Sequence, residues 1–220
     1  MLNHIEAAVF DLDGTLVNSL IVWDVLWSEL GKRFLNDSSF KPSEKEDKNV
    51  RTMTLKEAME YINSIYNLTK MPNEVFEAAT EVIREFYASE VKLKNGVDNF
   101  LEWCYRKNIK MCIASATEKE LIIIALEHCG IKKYFNKILS CADIKKGKEE
   151  PDIYLASQKI FGCSADKICV FEDSLVALTT AKKIGMKTVG IYDKFNYGQE
   201  DIKRLADVYI AEGETLEKLI

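Results

Sequence analysis

From Ile109 onward, short apolar runs alternate with longer segments of helical spacing. "IKMCIASA" precedes "TEKELIIIALEHCG", "FNKILS" precedes a helical stretch at residues 151–161, and "KICVFED" precedes "SLVALTTAKKIG" and a last run, "KTVGIY". Strands separated by helices of ten to fifteen residues predict βαβ units and a parallel sheet buried on both faces. The run Ala7 to Phe10 is of the same kind but stands alone near the start. After it, residues 20–34, 54–66 and 72–87 all show helical spacing. The polar stretch "NDSSFKPSEKEDKNV" between the first two reads as a solvated loop. The expected fold class is therefore α/β, a doubly wound, Rossmann-like parallel sheet with an inserted helical domain. The core would comprise residues 1–17 and 91–220 and the helical cap residues 18–90, with hinge linkers near 17–20 and 89–96.

Local signals mark several element ends. Thr54 followed by Glu57 spells a capping box, Pro72 suits a first helical turn, and Gly130 and Gly185 stand where helices should stop. Trp23 and Trp27, one turn apart, read as packing residues.

Composition narrows the function classes. The net charge is −5 and no basic block dominates any region, so nucleic acid is not an expected partner. The longest aliphatic run, "LIIIAL", is too short to cross a bilayer, and "MLNHIE" lacks the basic flank of a secretion signal. The six cysteines (104, 112, 129, 141, 163 and 169) include no CxxC pair. A reduced, cytoplasmic protein is expected, acting as a monomer on a small metabolite, with no membrane partner. His4 and His128 have no nucleophile beside them in sequence and read as structural.

In a doubly wound sheet, ligands bind at the carboxyl ends of the strands, where the strand order reverses. The first strand delivers Asp11 and Asp13 there, followed by Gly14 and Thr15. The second delivers Ser115, the third leads into a loop with Lys145, Lys146 and Lys148, and the fourth ends in Glu172 and Asp173. Carboxylates gathered in one crevice repel one another unless a cation sits among them. A sparse set of hard oxygen ligands suits Mg2+. A free carboxylate can attack phosphorus, while a hydroxyl and an ammonium neutralise the phosphoryl oxygens.

The motifs "DLDGTLVNS", "IASAT", "GKEEPDIYLAS" and "VFEDS", in this order and over almost the whole chain, resemble the haloacid dehalogenase superfamily. The likeness is to its helically capped phosphatases, the group that includes β-phosphoglucomutase and phosphoglycolate phosphatase. That resemblance implies roles. Asp11 would be the nucleophile that becomes an aspartyl phosphate, and Asp13 the acid and base, its main-chain carbonyl touching Mg2+. Ser115, with Ala116 beside it, and Lys148 would hold the phosphoryl group. Asp173 would ligate the metal directly, with Glu172 assisting. One departure is Glu149, which stands where the family often has proline; Lys145 and Lys146 are the alternatives should Lys148 be displaced. Ser19, at the start of the cap, and Arg51 are candidate substrate contacts. For Arg51, an exposed helix-start arginine is the competing reading.

The implied activity is Mg2+-dependent hydrolysis of a small phosphate monoester such as a sugar phosphate. A sugar-phosphate mutase of the β-phosphoglucomutase type would use the same residues. A phosphorylated receiver module fits poorly, since the acidic pair and the phosphorylated aspartate would sit on different strands.

Overall fold

The computed structural model describes residues 4–51 and 53–220. Contacts divide them into two compact units, one running up to Leu20 and resuming over Val91–Ile220, the other Ile21–Glu90.

The first unit holds a six-stranded sheet ordered β3-β2-β1-β4-β5-β6. Its strands are β1 (Ala7–Phe10), β2 (Lys110–Ser115), β3 (Lys137–Ser140), β4 (Ile168–Glu172), β5 (Lys187–Ile191) and β6 (Val208–Ile210), and every pairing is parallel. β1 and β4 are wholly buried, which explains their unbroken apolar runs. Alternate side chains serve opposite faces. Ala7 and Val9 pack with Ile153, Tyr154, Ala177 and Ala181 of helices α8 (Asp152–Phe161) and α9 (Leu175–Lys183). Phe10 faces the other way, stacked on Phe171 at 4.5 Å and edge-on to Phe100 of α5 (Val97–Arg106). Deleting the fully buried Phe10 ring would cost about 3–5 kcal/mol. The remaining helices of this unit are α6 (Lys119–His128), α7 (Cys141–Ile144) and α10 (Gln199–Leu205). Among the described residues no helix is long and apolar enough to cross a membrane.

The strand order reverses between β1 and β4, which lie side by side with Phe10 opposite Phe171. The chain then leaves this unit past Leu16–Asn18 and returns through Lys92–Lys94. These two passages pair antiparallel. Val17 bridges Leu93, Lys94 N–H donates to Leu16 O, and Asn18 N–H donates to Lys92 O.

The second unit consists of α1 (Val22–Leu30), continued by a π-helical turn at Gly31–Leu35, then α2 (Glu44–Val50), α3 (Leu55–Tyr66) and α4 (Pro72–Ser89). Leu26, Trp27, Leu30, Ala58, Met59, Ile62 and Val75 form its core. The Thr54–Glu57 capping box is present, with both reciprocal bonds made.

The expectation of a solvated loop over residues 36–50 is corrected here. Glu44–Val50 is helical and opens with a second capping box, Ser43 with Glu46. Only Asp47 and Val50 of that helix are buried, so it carries no apolar stripe for periodicity to detect. Helix α10 and edge strand β6 extend the first unit beyond the last strand expected from sequence.

Candidate active site

Asp11, Glu172 and Asp173 meet at the switch point. β1 ends at Phe10 and β4 at Glu172, and the N–H of Asp11 still donates across to Phe171 O, so the strand ends stay in step. Each carboxylate is at most 5% exposed, and one oxygen from each lies within 4.8 Å of the others. Lys148 reaches this cluster from the loop between α7 and α8. Its Nζ donates to Asp11 Oδ1 at 2.5 Å and to Glu172 Oε2 at 2.8 Å. Lys145 and Lys146 are exposed, the latter against Asp152. The glutamate at position 149 leaves Lys148 facing the carboxylates.

Burial, reinforced by neighbouring charge, sets the electrostatics. Burial raises the Asp11 pKa, a rise that Lys148 opposes and Asp13 reinforces. Burial and the charge of Asp11 push Glu172 well up. The same two causes push Asp173 up to about 7. For Lys148 burial works against the charge, but Asp11 and Glu172 outweigh it and the pKa rises well above normal. The Tyr154 hydroxyl, buried without a hydrogen-bond partner among the described residues, feels Glu172, Lys148 and Asp11 and is also raised, chiefly by burial.

Asp13 is held differently. The chain turns after Leu12, whose carbonyl accepts from Leu16 N–H and Val17 N–H. The Asp13 carboxylate accepts from two hydroxyls, Ser19 Oγ at 2.6 Å and Thr117 Oγ1 at 2.7 Å. Thr117 N–H donates to Ser115 Oγ at 3.1 Å, and Ser140 Oγ donates to Thr117 O, tying the ends of β2 and β3 to the same group. Ser115 is buried and Ala116, next along, is exposed.

Gly14 sits in this turn with φ +73°, a conformation L side chains avoid. A Cβ there would run into Asp173 Oδ2. Glycine therefore lets the turn close over the carboxylate. Asp173 is further held by Thr15 Oγ1 at 3.2 Å on Oδ1 and by Asn196 Nδ2 at 2.8 Å on Oδ2. Three buried carboxylates that turn hard oxygens toward one another make a donor set suited to a small divalent cation.

Arg51 belongs to the helical unit, at the end of α2. There its Nε donates to Asp47 Oδ2 at 2.8 Å and its guanidinium lies over the Trp23 ring. Sequence reasoning missed the parts played by Thr117, Thr15 and Asn196. Thr15 and Thr117 each lie within four residues of a candidate and had that signal; Asn196 had none.

A family profile described as haloacid dehalogenase-like hydrolase matches residues 8–191. The chain belongs to this family. A phosphorylated carbohydrates phosphatase of Thermotoga maritima is 29% identical over 224 residues, covering 97% of this chain and 98% of that one. Two solved structures share the fold. CbbY from Rhodobacter sphaeroides in complex with phosphate has a TM-score of 0.76 at 23% identity, covering 93% of each chain. A β-phosphoglucomutase from Clostridium difficile has a TM-score of 0.74 at 20% identity, covering 98% of this chain and 95% of that one. The matched residues thus run from β1 to the end of β5 and include both acidic strand ends, while β6 lies beyond them.

Proposed function

We propose that this protein is a Mg2+-dependent phosphatase that hydrolyses a small phosphate monoester, a phosphorylated sugar or similar metabolite, through an aspartyl phosphate on Asp11. The observation that carries the reading is the buried trio Asp11, Glu172 and Asp173 at the switch point, with the ammonium of Lys148 bonded to the first two. Family membership and a relative named as a phosphorylated carbohydrates phosphatase support it.

Asp11 and Asp173, with Glu172 and the Asp13 main-chain carbonyl, would hold Mg2+. When bound, the ion offsets their mutual repulsion and the charge on the phosphoryl oxygens. Asp11 attacks phosphorus and the bond to the leaving oxygen breaks. Asp13 passes its proton to that oxygen. Water then attacks the aspartyl phosphate, Asp13 takes the proton, and the bond to Asp11 breaks to free phosphate. Hydroxyls from Ser19 and Thr117, one on each oxygen of the Asp13 carboxylate, hold that group in place. Lys148 and Ser115 would stabilise the phosphoryl oxygens. Residues 21–90 would act as a cap that selects the alcohol portion and keeps out bulk water.

The test is phosphate release from a panel of sugar, glycolate and nucleoside monophosphates, with Mg2+ and then with EDTA. Metal-dependent release from one compound class is the expected result. A hexose 1-phosphate consumed without phosphate release would replace this reading with the mutase, and no turnover of any compound would overturn both.

A further inference from the structure

The loop after β5 carries a device that none of the strand-end motifs includes. Asn196 Nδ2 donates to two oxygens of one residue, the main-chain carbonyl of Asp173 at 2.7 Å and its Oδ2 at 2.8 Å. The orientation of the amide is settled, because its Oδ1 accepts from Tyr197 N–H at 2.8 Å. Turned over, the group would present an oxygen to a carboxylate and an NH2 to an N–H.

The loop itself is braced. Asp193, buried, accepts from Phe195 N–H on Oδ1 and from Lys94 Nζ on Oδ2, and Lys94 also donates to Tyr192 O. Gln199 Nε2 donates to the carbonyls of Asp193 and Asn196, and Tyr209 hydroxyl holds Gln199 Oε1. The amide is therefore presented by a frame reaching to β6 on one side and to the Lys92–Lys94 return passage on the other.

The choice of donor is informative. Lys148 lies within bonding distance of Asp11 and Glu172, but among the described residues both side-chain donors on Asp173 are uncharged, the Asn196 amide and the Thr15 hydroxyl. A neutral donor fixes where a carboxylate points and leaves its charge in place. A lysine at the same point would compensate that charge and compete with any cation. We infer that Asn196 is a positioning residue that holds the Asp173 carboxylate aimed for Mg2+. This rests on the reading of Asp173 as a metal ligand. Partners that orient a ligand from behind typically account for about 10–100-fold in metal affinity.

The experiment is calorimetric titration of Mg2+ into the full chain and into Asn196→Ala, Asn196→Leu and Asp173→Asn, alongside the Mg2+ dependence of turnover. The expected result is a dissociation constant about 10–100-fold weaker in Asn196→Ala, with turnover recovered by excess Mg2+. Asn196→Leu keeps the size and removes the donor without adding charge, so its loss should be similar. Wild-type Mg2+ affinity in a folded Asn196→Ala or Asn196→Leu overturns the inference while leaving the phosphatase reading standing. Undiminished affinity in Asp173→Asn would instead overturn the assignment of Asp173, and the inference with it. Should Asn196→Ala melt early, Asn196→Leu in the same assay still decides.

Discussion

Both units bury carboxylates, and they do so on opposite terms. In the helical unit Asp47 has a cation of its own. Arg51 Nε donates to one oxygen and the Trp27 indole N–H, at 2.9 Å, to the other. In the sheet unit three carboxylates gather around one lysine that bonds only two of them among the described residues, so two negative charges are left over when all are ionised. A buried ion with its partner and hydrogen bonds in place is complete as it stands. A cluster with surplus charge is costly in isolation and is relieved by a cation. The first arrangement is complete within the helical unit, and the second keeps a charge that a bound cation would offset.

The contrast can be broken by experiment. Asp11→Asn should cut phosphate release by about 10⁴-fold or more, as loss of a covalent nucleophile does. Its melting temperature should not fall, because one like charge leaves the cluster. Turnover near wild type would end the nucleophile assignment. Asp47→Ala should do the reverse. It strands Arg51 and the Trp27 N–H in a nearly closed site and should cost about 3 kcal/mol in urea unfolding, with Mg2+ affinity within about two-fold of normal. Mg2+ at about a hundred times its dissociation constant should stabilise the protein by about 2.7 kcal/mol, and EDTA should reverse the gain. If Asp173→Asn keeps that gain, the surplus-charge cluster is not where the ion binds.

A smaller effect is expected at Asp207, outside both clusters. Burial alone would raise its pKa, but bonds from Lys182 and from the N–H and hydroxyl of Thr188 outweigh that and lower it. A lowered folded value means stability that is fully present above the ordinary carboxylate pKa and lost as pH falls through the folded one. Asp207→Asn should therefore cost under about 1 kcal/mol at pH 7, water screening so open a pair, and still less below about pH 4. A cost that does not shrink on acidification would mean that the Asp207 charge contributes nothing.

What could be read from the sequence follows from how each signal is carried. Thr54 and Ser43 open helices with the same capping chemistry. Thr54 precedes an apolar stripe and was legible; Ser43 precedes Glu-Lys-Glu-Asp-Lys and was not. β6 is three residues long at the sheet edge, too short to show alternation. The acids at the ends of β1 and β4 were legible because parallel strands deliver their last residues to one edge. Asn196 was not. It meets Asp173 across 23 residues of chain, and only the course of the loop after β5 brings them together. Lys94 likewise gains its partner Asp193 only in the folded loop.

The antiparallel pairing of Leu16–Asn18 with Lys92–Lys94 makes the helical unit a one-point graft. The chain leaves and rejoins the sheet unit through neighbouring rungs, so the whole of residues 21–90 is, to the sheet, a single loop whose ends are already clamped. Closing a longer or shorter loop between fixed ends changes chain entropy only slowly, by about 0.6 kcal/mol per doubling of length. One insert could therefore be exchanged for another at little thermodynamic cost to the strands that carry the acids. To the sheet, then, the length of what hangs from that clamp is nearly a free variable.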